Sequence, residues 1–223
     1  MSYFSPAYLQ FFQDLAANNN RDWFNDNRKL YETEVKKPFA AFIKDVVSEL
    51  TKLDPSIQVE PKNAIFRINR DIRFSKDKTP YNKHNSAILS PLGRKDYEHP
   101  GMYIMFSREK AMIGGGAYAI GKENLFFLRE YIVKHQKGFH NLLSDKSFTK
   151  YYGEIRGERN KILPKEFKEA AIDIPELFNK QFYFMADLPA KIVYDKNLIS
   201  KVVDHWKAGN PIRQFLIKGL HSA

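Results

Sequence analysis

The apolar residues of this 223-residue chain change their spacing twice, and that change limits the available folds more than any other feature. Up to about residue 55 they recur every three or four positions, as in helices with one buried face. From Ala64 to about Tyr118 they alternate every second position, and from Lys122 the helical spacing returns. The alternating stretch predicts strands over Ala64–Phe74, Asn85–Leu92, Gly101–Phe106 and Lys110–Tyr118. Turn-forming residues separate them at Asp77–Pro80, Pro91–Pro100 and Ser107–Glu109. Connections this short join antiparallel neighbours, because a parallel crossover needs roughly a dozen residues or more. One more strand is expected within Phe182–Val193. The reading is an α+β fold in a single domain over 1–223, with a central antiparallel sheet flanked by N-terminal and C-terminal helices. It is helical over 1–55, sheet-rich over 64–120, and helical with one or two strands over 121–223.

Individual helix signals support this division. Ser5-Pro6 reads as the cap and first position of a helix carrying Leu9, Phe12 and Leu15. Asn18-Asn19-Asn20 ends it, and Asn20 is placed to cap a second helix in which Trp23, Asn27 and Tyr31 share a face. Pro38 predicts a kink or a new start, since it has no backbone N–H to donate. Leu125, Leu128 and Ile132 mark a helix over Lys122–Lys134. A terminal helix over Asn197–Leu220 is expected to break at Gly209-Asn210-Pro211. The stretch 145–180 is mixed and yields no single pattern.

Composition excludes several classes of chemistry. With 43% hydrophobic residues, 18 Phe and 12 Tyr, the chain has material for a packed core. It contains no cysteine, which removes disulfides, thiol catalysis and thiolate metal sites and fits a reducing compartment. Met1–Pro6 has neither a basic nor an apolar leader region, and no window approaches ~18 consecutive apolar residues. A cytoplasmic protein without membrane contact is expected.

The charge is uneven. The chain carries +10, of which +7 lies within Lys62–Lys95 and only +3 elsewhere. Such an excess attracts anions. On a strand through Ile65–Ser75, Phe66, Ile68, Ile72 and Phe74 fall on one face, and Arg67, Asn69, Asp71 and Arg73 on the other. Arg70 violates the alternation. A guanidinium among apolar residues must pair with a carboxylate, reach a ligand, or sit on a bulge. Beyond the strand, the turn around Pro80 projects Lys78, Tyr81 and Lys83. The arginine fork suits bidentate recognition of phosphate or carboxylate, and lysine adds point charge.

The run from Phe66 to Tyr81, with Asn19-Asn20-Arg21-Asp22-Trp23-Phe24 before it and Gly114-Gly115-Gly116-Ala117-Tyr118 after it, resembles a family of bacteria and fungi. That family is the conserved hypothetical group called domain of unknown function 2461. The resemblance covers most of the chain and implies no activity. Asn82 stands where the family usually has lysine, and Ala119-Ile120 where a proline commonly follows.

The candidate ligand-binding residues are therefore Arg67, Arg70, Asp71, Arg73, Lys78, Tyr81 and Lys83, with Asp71 orienting the arginines and Tyr81 stacking or hydrogen-bonding. The expected ligand is a phosphorylated or otherwise anionic small molecule, or nucleic acid. Two alternatives stand beside it. One is an enzyme acting on a phosphate-bearing or glycosidic substrate, with Asp71 or His84 moving protons. The other is a structural or protein-interaction domain in which the arginines merely hold the sheet. No cofactor is implied: the triple glycine at 114–116 lacks the lysine and hydroxyl of a phosphate loop and does not match dinucleotide spacing, so a bulge or close strand packing is its simpler role. The six histidines show no metal-ligand spacing.

Overall fold

Ser5 and Pro6 begin the first helix as expected, in a computed structural model that describes residues 2–95 and 98–222. Helix α1 spans Pro6–Ala17, although the Ser5 hydroxyl donates to Glu34 Oε2 at 2.6 Å instead of capping the helix. Asn20 does cap α2 (Arg21–Asp26), accepting from the Trp23 N–H at 2.9 Å. A short α3 (Arg28–Leu30) leads into a wide π-turn over Tyr31–Lys36, and α4 (Lys37–Leu53) follows directly. Pro38 is therefore accommodated without a break. The widened turn ends with the Lys37 N–H bonded to the Glu32 carbonyl five residues back, and Pro38 falls in the first turn of α4, where no N–H is needed.

A one-turn helix α5 (Pro61–Ala64) precedes the four strands β1 (His84–Leu89), β2 (Gly101–Ser107), β3 (Lys110–Ala117) and β4 (Phe182–Pro189). They form one antiparallel sheet in the order β1-β2-β3-β4, and with the helices before and after it in the chain the fold is α+β. Between β3 and β4 lie α6 (Lys122–Lys134), α7 (Gln136–Leu143) and α8 (Lys146–Tyr152), followed by 3₁₀ turns through the mixed stretch. Helix α9 (Leu198–Leu220) closes the chain. Residues 96 and 97, inside the expected turn Pro91–Pro100, lie outside the described residues.

The chain folds as two compact units. The first comprises Met1–Lys95, Tyr103–Ile113 and Asp187–Val203. Its core is aromatic: Phe4, Phe39 and Phe42 pack around Phe106, with ring centroids 5.4 to 5.8 Å from it. Such edge and tilted contacts add stabilisation beyond the buried area. The second unit comprises Asp96–Met102, Gly114–Ala186 and Asp204–Ala223, and centres on Phe148, Tyr152 and Phe184.

Two expectations are corrected. The terminal helix does not break at Gly209-Asn210-Pro211: α9 is continuous, with Pro211 inside it. Gly209 is there for room, because a Cβ would overlap the Phe184 ring. The expected strand Ala64–Phe74 is also absent. Only isolated bridges form, Ile65 with Ala87 and Asn69 with Tyr81, both antiparallel. Backbone bonds from Phe66 N to Ser86 O (2.9 Å), Asn82 N to Ile68 O (2.7 Å) and Arg70 N to Pro80 O (2.9 Å) hold a ribbon folded back on itself. Its loop runs from 71 to 79. Past Asp71 the chain turns, with Ser75 N bonded to Ile72 O at 3.3 Å, and Phe74 is left 94% exposed instead of joining the apolar face.

The glycines at 114–116 serve packing. A Cβ at Gly114 would overlap the Phe184 carbonyl oxygen, and at Gly116, with φ +107°, a Cβ would overlap the Phe182 carbonyl oxygen.

Candidate functional site

Arg70 shapes the loop. Its side chain, 23% exposed, donates from Nη1 to Asp77 Oδ2 at 2.7 Å and to the Thr79 carbonyl at 3.0 Å. Of the three ways open to a guanidinium in an apolar register, pairing with a carboxylate is the one adopted. Asp77 in turn accepts from the Thr79 N–H at 2.9 Å, and Lys78 Nζ donates to Ile72 O at 3.0 Å. Arg73 makes a fork on Asp71, Nε to Oδ1 at 3.0 Å and Nη2 to Oδ2 at 2.7 Å.

An open hollow of about 440 Å³ lies against the ribbon. Four residues singled out in the sequence line it: Arg67, Arg70, Asp71 and His84. Asn69, Asn82, Ser86 and Tyr103 add amide and hydroxyl groups. Asn82, His84 and Ser86 follow the two-residue period that puts alternate side chains on one face, so pairing 80–87 with the arginine stretch would have placed them there. Tyr103 comes from β2, and no local signal points to it.

The other candidates do not line the hollow. Arg73 and Lys78 are tied within the loop as above. The Tyr81 ring is buried and stacks on Phe24, centroids 4.0 Å apart and 17° from parallel. Lys83 is exposed, and its ammonium has no hydrogen-bond or ion-pair partner among the described residues.

Electrostatics sort the titratable groups. The side-chain hydrogen bond from Arg73, helped by its backbone N–H and more weakly by the Arg67 charge, holds the Asp71 carboxyl at about 2. The backbone N–H of Thr79, then its hydroxyl and Arg70, hold Asp77 at about 2 as well. Both are carboxylates at any ordinary pH. Burial lowers the pKa of His84, with Glu109 pulling weakly the other way, so the neutral imidazole predominates at pH 7. Arg67 is the one guanidinium lining the hollow without an ion pair among the described residues. Among those residues no group of three acidic or histidine side chains could hold a metal ion.

The family model described as conserved hypothetical protein (DUF2461) matches residues 7–215. The chain belongs to this family. No curated protein and no solved structure matches it. The DUF2461 description names no activity, so the chemistry must come from geometry. Two of the stretches that carry the family resemblance meet in space. Asn19 clamps the backbone of Tyr81, donating from Nδ2 to its carbonyl at 2.9 Å and accepting its N–H at 3.1 Å, while Phe24 stacks on the Tyr81 ring. No helix among the described residues is long and apolar enough to cross a membrane.

Proposed function

We propose that this DUF2461 chain binds a phosphorylated or otherwise anionic ligand in the hollow beside Phe66–His84. One observation carries the reading: Arg67, exposed and without an ion pair among the described residues, lines a recess that Asn69, Asn82 and Ser86 furnish with uncharged polar groups and in which the Asp71 carboxylate is already taken by the Arg73 fork. A phosphate there would take the Arg67 fork in charge-assisted bonds and fill its remaining oxygens with amide and hydroxyl donors. Arg70 and Arg73, already held by Asp77 and Asp71, fix the rim and do not compete for the ligand. The local excess of positive charge raises the encounter rate.

The test is thermal unfolding in inorganic phosphate at constant ionic strength, with chloride as the control. Phosphate is expected to raise the melting temperature of the wild type, by mass action, and to leave Arg67→Ala unmoved. Equal shifts in the two proteins would remove the reading.

A second reading draws on His84. Its half-buried imidazole lines the same hollow and is neutral at pH 7, the state a general base needs. Asp71, held at about 2, cannot supply a proton there. If the site is catalytic, hydrolysis of a phenyl phosphate or glycoside is lost in His84→Asn while phosphate-induced stabilisation stays. Absence of turnover in the wild type across such a panel sinks this reading.

A further inference from the structure

The loop of the ribbon combines internal order with an outward aromatic ring. Within residues 70–79 the polar contacts are nearly all internal. Arg70 reaches Asp77, Thr79 and Ser75, Lys78 reaches Ile72, and Arg73 reaches Asp71. Such cross-bracing removes much of the freedom that lets a loop fold an apolar side chain back onto the protein. The braced loop nonetheless leaves Phe74 94% exposed, with the Arg73 guanidinium 5.7 Å from its ring centre. Lys76, also exposed, has no hydrogen-bond or ion-pair partner among the described residues. Asp71, which lines the hollow that contains Arg67, also holds Arg73, the chain neighbour of Phe74.

We infer that the loop is a stacking platform for single-stranded nucleic acid, Phe74 taking a base while Arg67 in the hollow takes an adjoining phosphate. The inference rests on the anion-binding reading of the hollow and names its ligand class. A base needs one flat apolar face and tolerates a wet, charged rim, which is what a lone ring between Arg73 and Lys76 offers. An anionic membrane fits less well. Insertion would carry the Arg73–Asp71 and Arg70–Asp77 pairs toward hydrocarbon with a single exposed aromatic to drive it. A duplex fits less well too, because its bases are stacked on one another and present no free face.

Fluorescence anisotropy with labelled, roughly 12-nucleotide oligothymidylate and oligouridylate tests this in the full chain. The wild type is expected to bind, with affinity falling with salt at a log–log slope of about −0.7 per phosphate contacted. Phe74→Ala should weaken binding roughly 5- to 150-fold while leaving that slope and the melting temperature unchanged, and Phe74→Tyr should restore it. Equal binding by wild type and Phe74→Ala, tighter binding of duplex than single strand, or Phe74-dependent binding to phosphatidylserine vesicles without oligonucleotide binding would overturn the inference. Unequal binding of the two oligomers, which differ in the sugar and in the thymine methyl, identifies the preferred strand and supports the inference. If inorganic phosphate still stabilises the protein through Arg67 while Phe74 has no effect, the hollow survives and the platform does not. If oligonucleotide binding depends on Phe74 but not Arg67, the hollow is the part that fails, and the inference as stated fails with it.

Discussion

Arginine occupies two opposite settings in this protein. Around the ribbon, Arg70 and Arg73 meet carboxylates at or near the surface, and Arg67 has no ion pair among the described residues. In the second unit, Arg129 and Arg213 are buried. Arg129 donates from Nε to Leu177 O at 2.9 Å and from Nη2 to Asn179 O at 3.1 Å, and no described carboxylate pairs with it. Arg213 lies over Trp206 at 4.4 Å and donates to Asn210 Oδ1 and to the Pro100 carbonyl. Arg129, satisfied by backbone carbonyls, joins chain segments that have no charge to offer. A guanidinium satisfied by a carboxylate two or seven residues away only shapes its own loop. The crowded, conspicuous arginines are the ones expected to matter least for stability.

The sharpest way to break that contrast is Arg129→Ala. It strips two carbonyls of their donor in a buried place and should cost about 3 kcal/mol, read from the urea midpoint at unchanged slope. A loss under about 1 kcal/mol would erase the distinction. Arg70→Ala comes next, at roughly 1 kcal/mol, because its pair is partly solvated. Its signature should be local, with faster amide exchange confined to 71–79. Acid sharpens the picture at the loop. Asp71 and Asp77 are depressed from 3.8 to about 2, so their contribution is complete above about pH 4 and is lost as pH falls toward 2. Exchange at Thr79, corrected for intrinsic rate, should rise over that interval; a flat profile would mean the carboxylates do not order the loop. Arg73→Ala should be the smallest change, with no measurable shift in melting temperature, since its pair is open to solvent.

Periodicity carried most of the fold. The two-residue alternation located β1, β2 and β3 to within a few residues, and the spacing of Leu125, Leu128 and Ile132 located α6 at the expected bounds, because each element buries one continuous face. It misled at 64–74, where alternation continued through residues whose ordering comes from side chains instead. The Arg70–Asp77 pair and the turn at Ile72–Ser75 are contacts that no period encodes. Breaker residues misled at Gly209-Asn210-Pro211, where the helix runs on and Gly209 packs against Phe184. The π-turn before Pro38 likewise left no local sign, since a widened turn uses the same residues as an ordinary one. For the candidate site, four residues named from the sequence, Arg67, Arg70, Asp71 and His84, line the hollow. The structure puts the Tyr81 ring on Phe24 and not in the hollow, and an aromatic beside a basic turn looks the same in sequence in either place. Only burial decides that.

The hold of Asn19 on Tyr81 reaches across 62 positions of chain. A synthetic peptide of residues 66–84 would have no amide to grip its turn and no ring beneath it, and an isolated hairpin is at best marginal in water. Fragment screening of the basic stretch by itself would then probe a floppy polycation. The shortest piece able to carry the recess has to start upstream of Asn19.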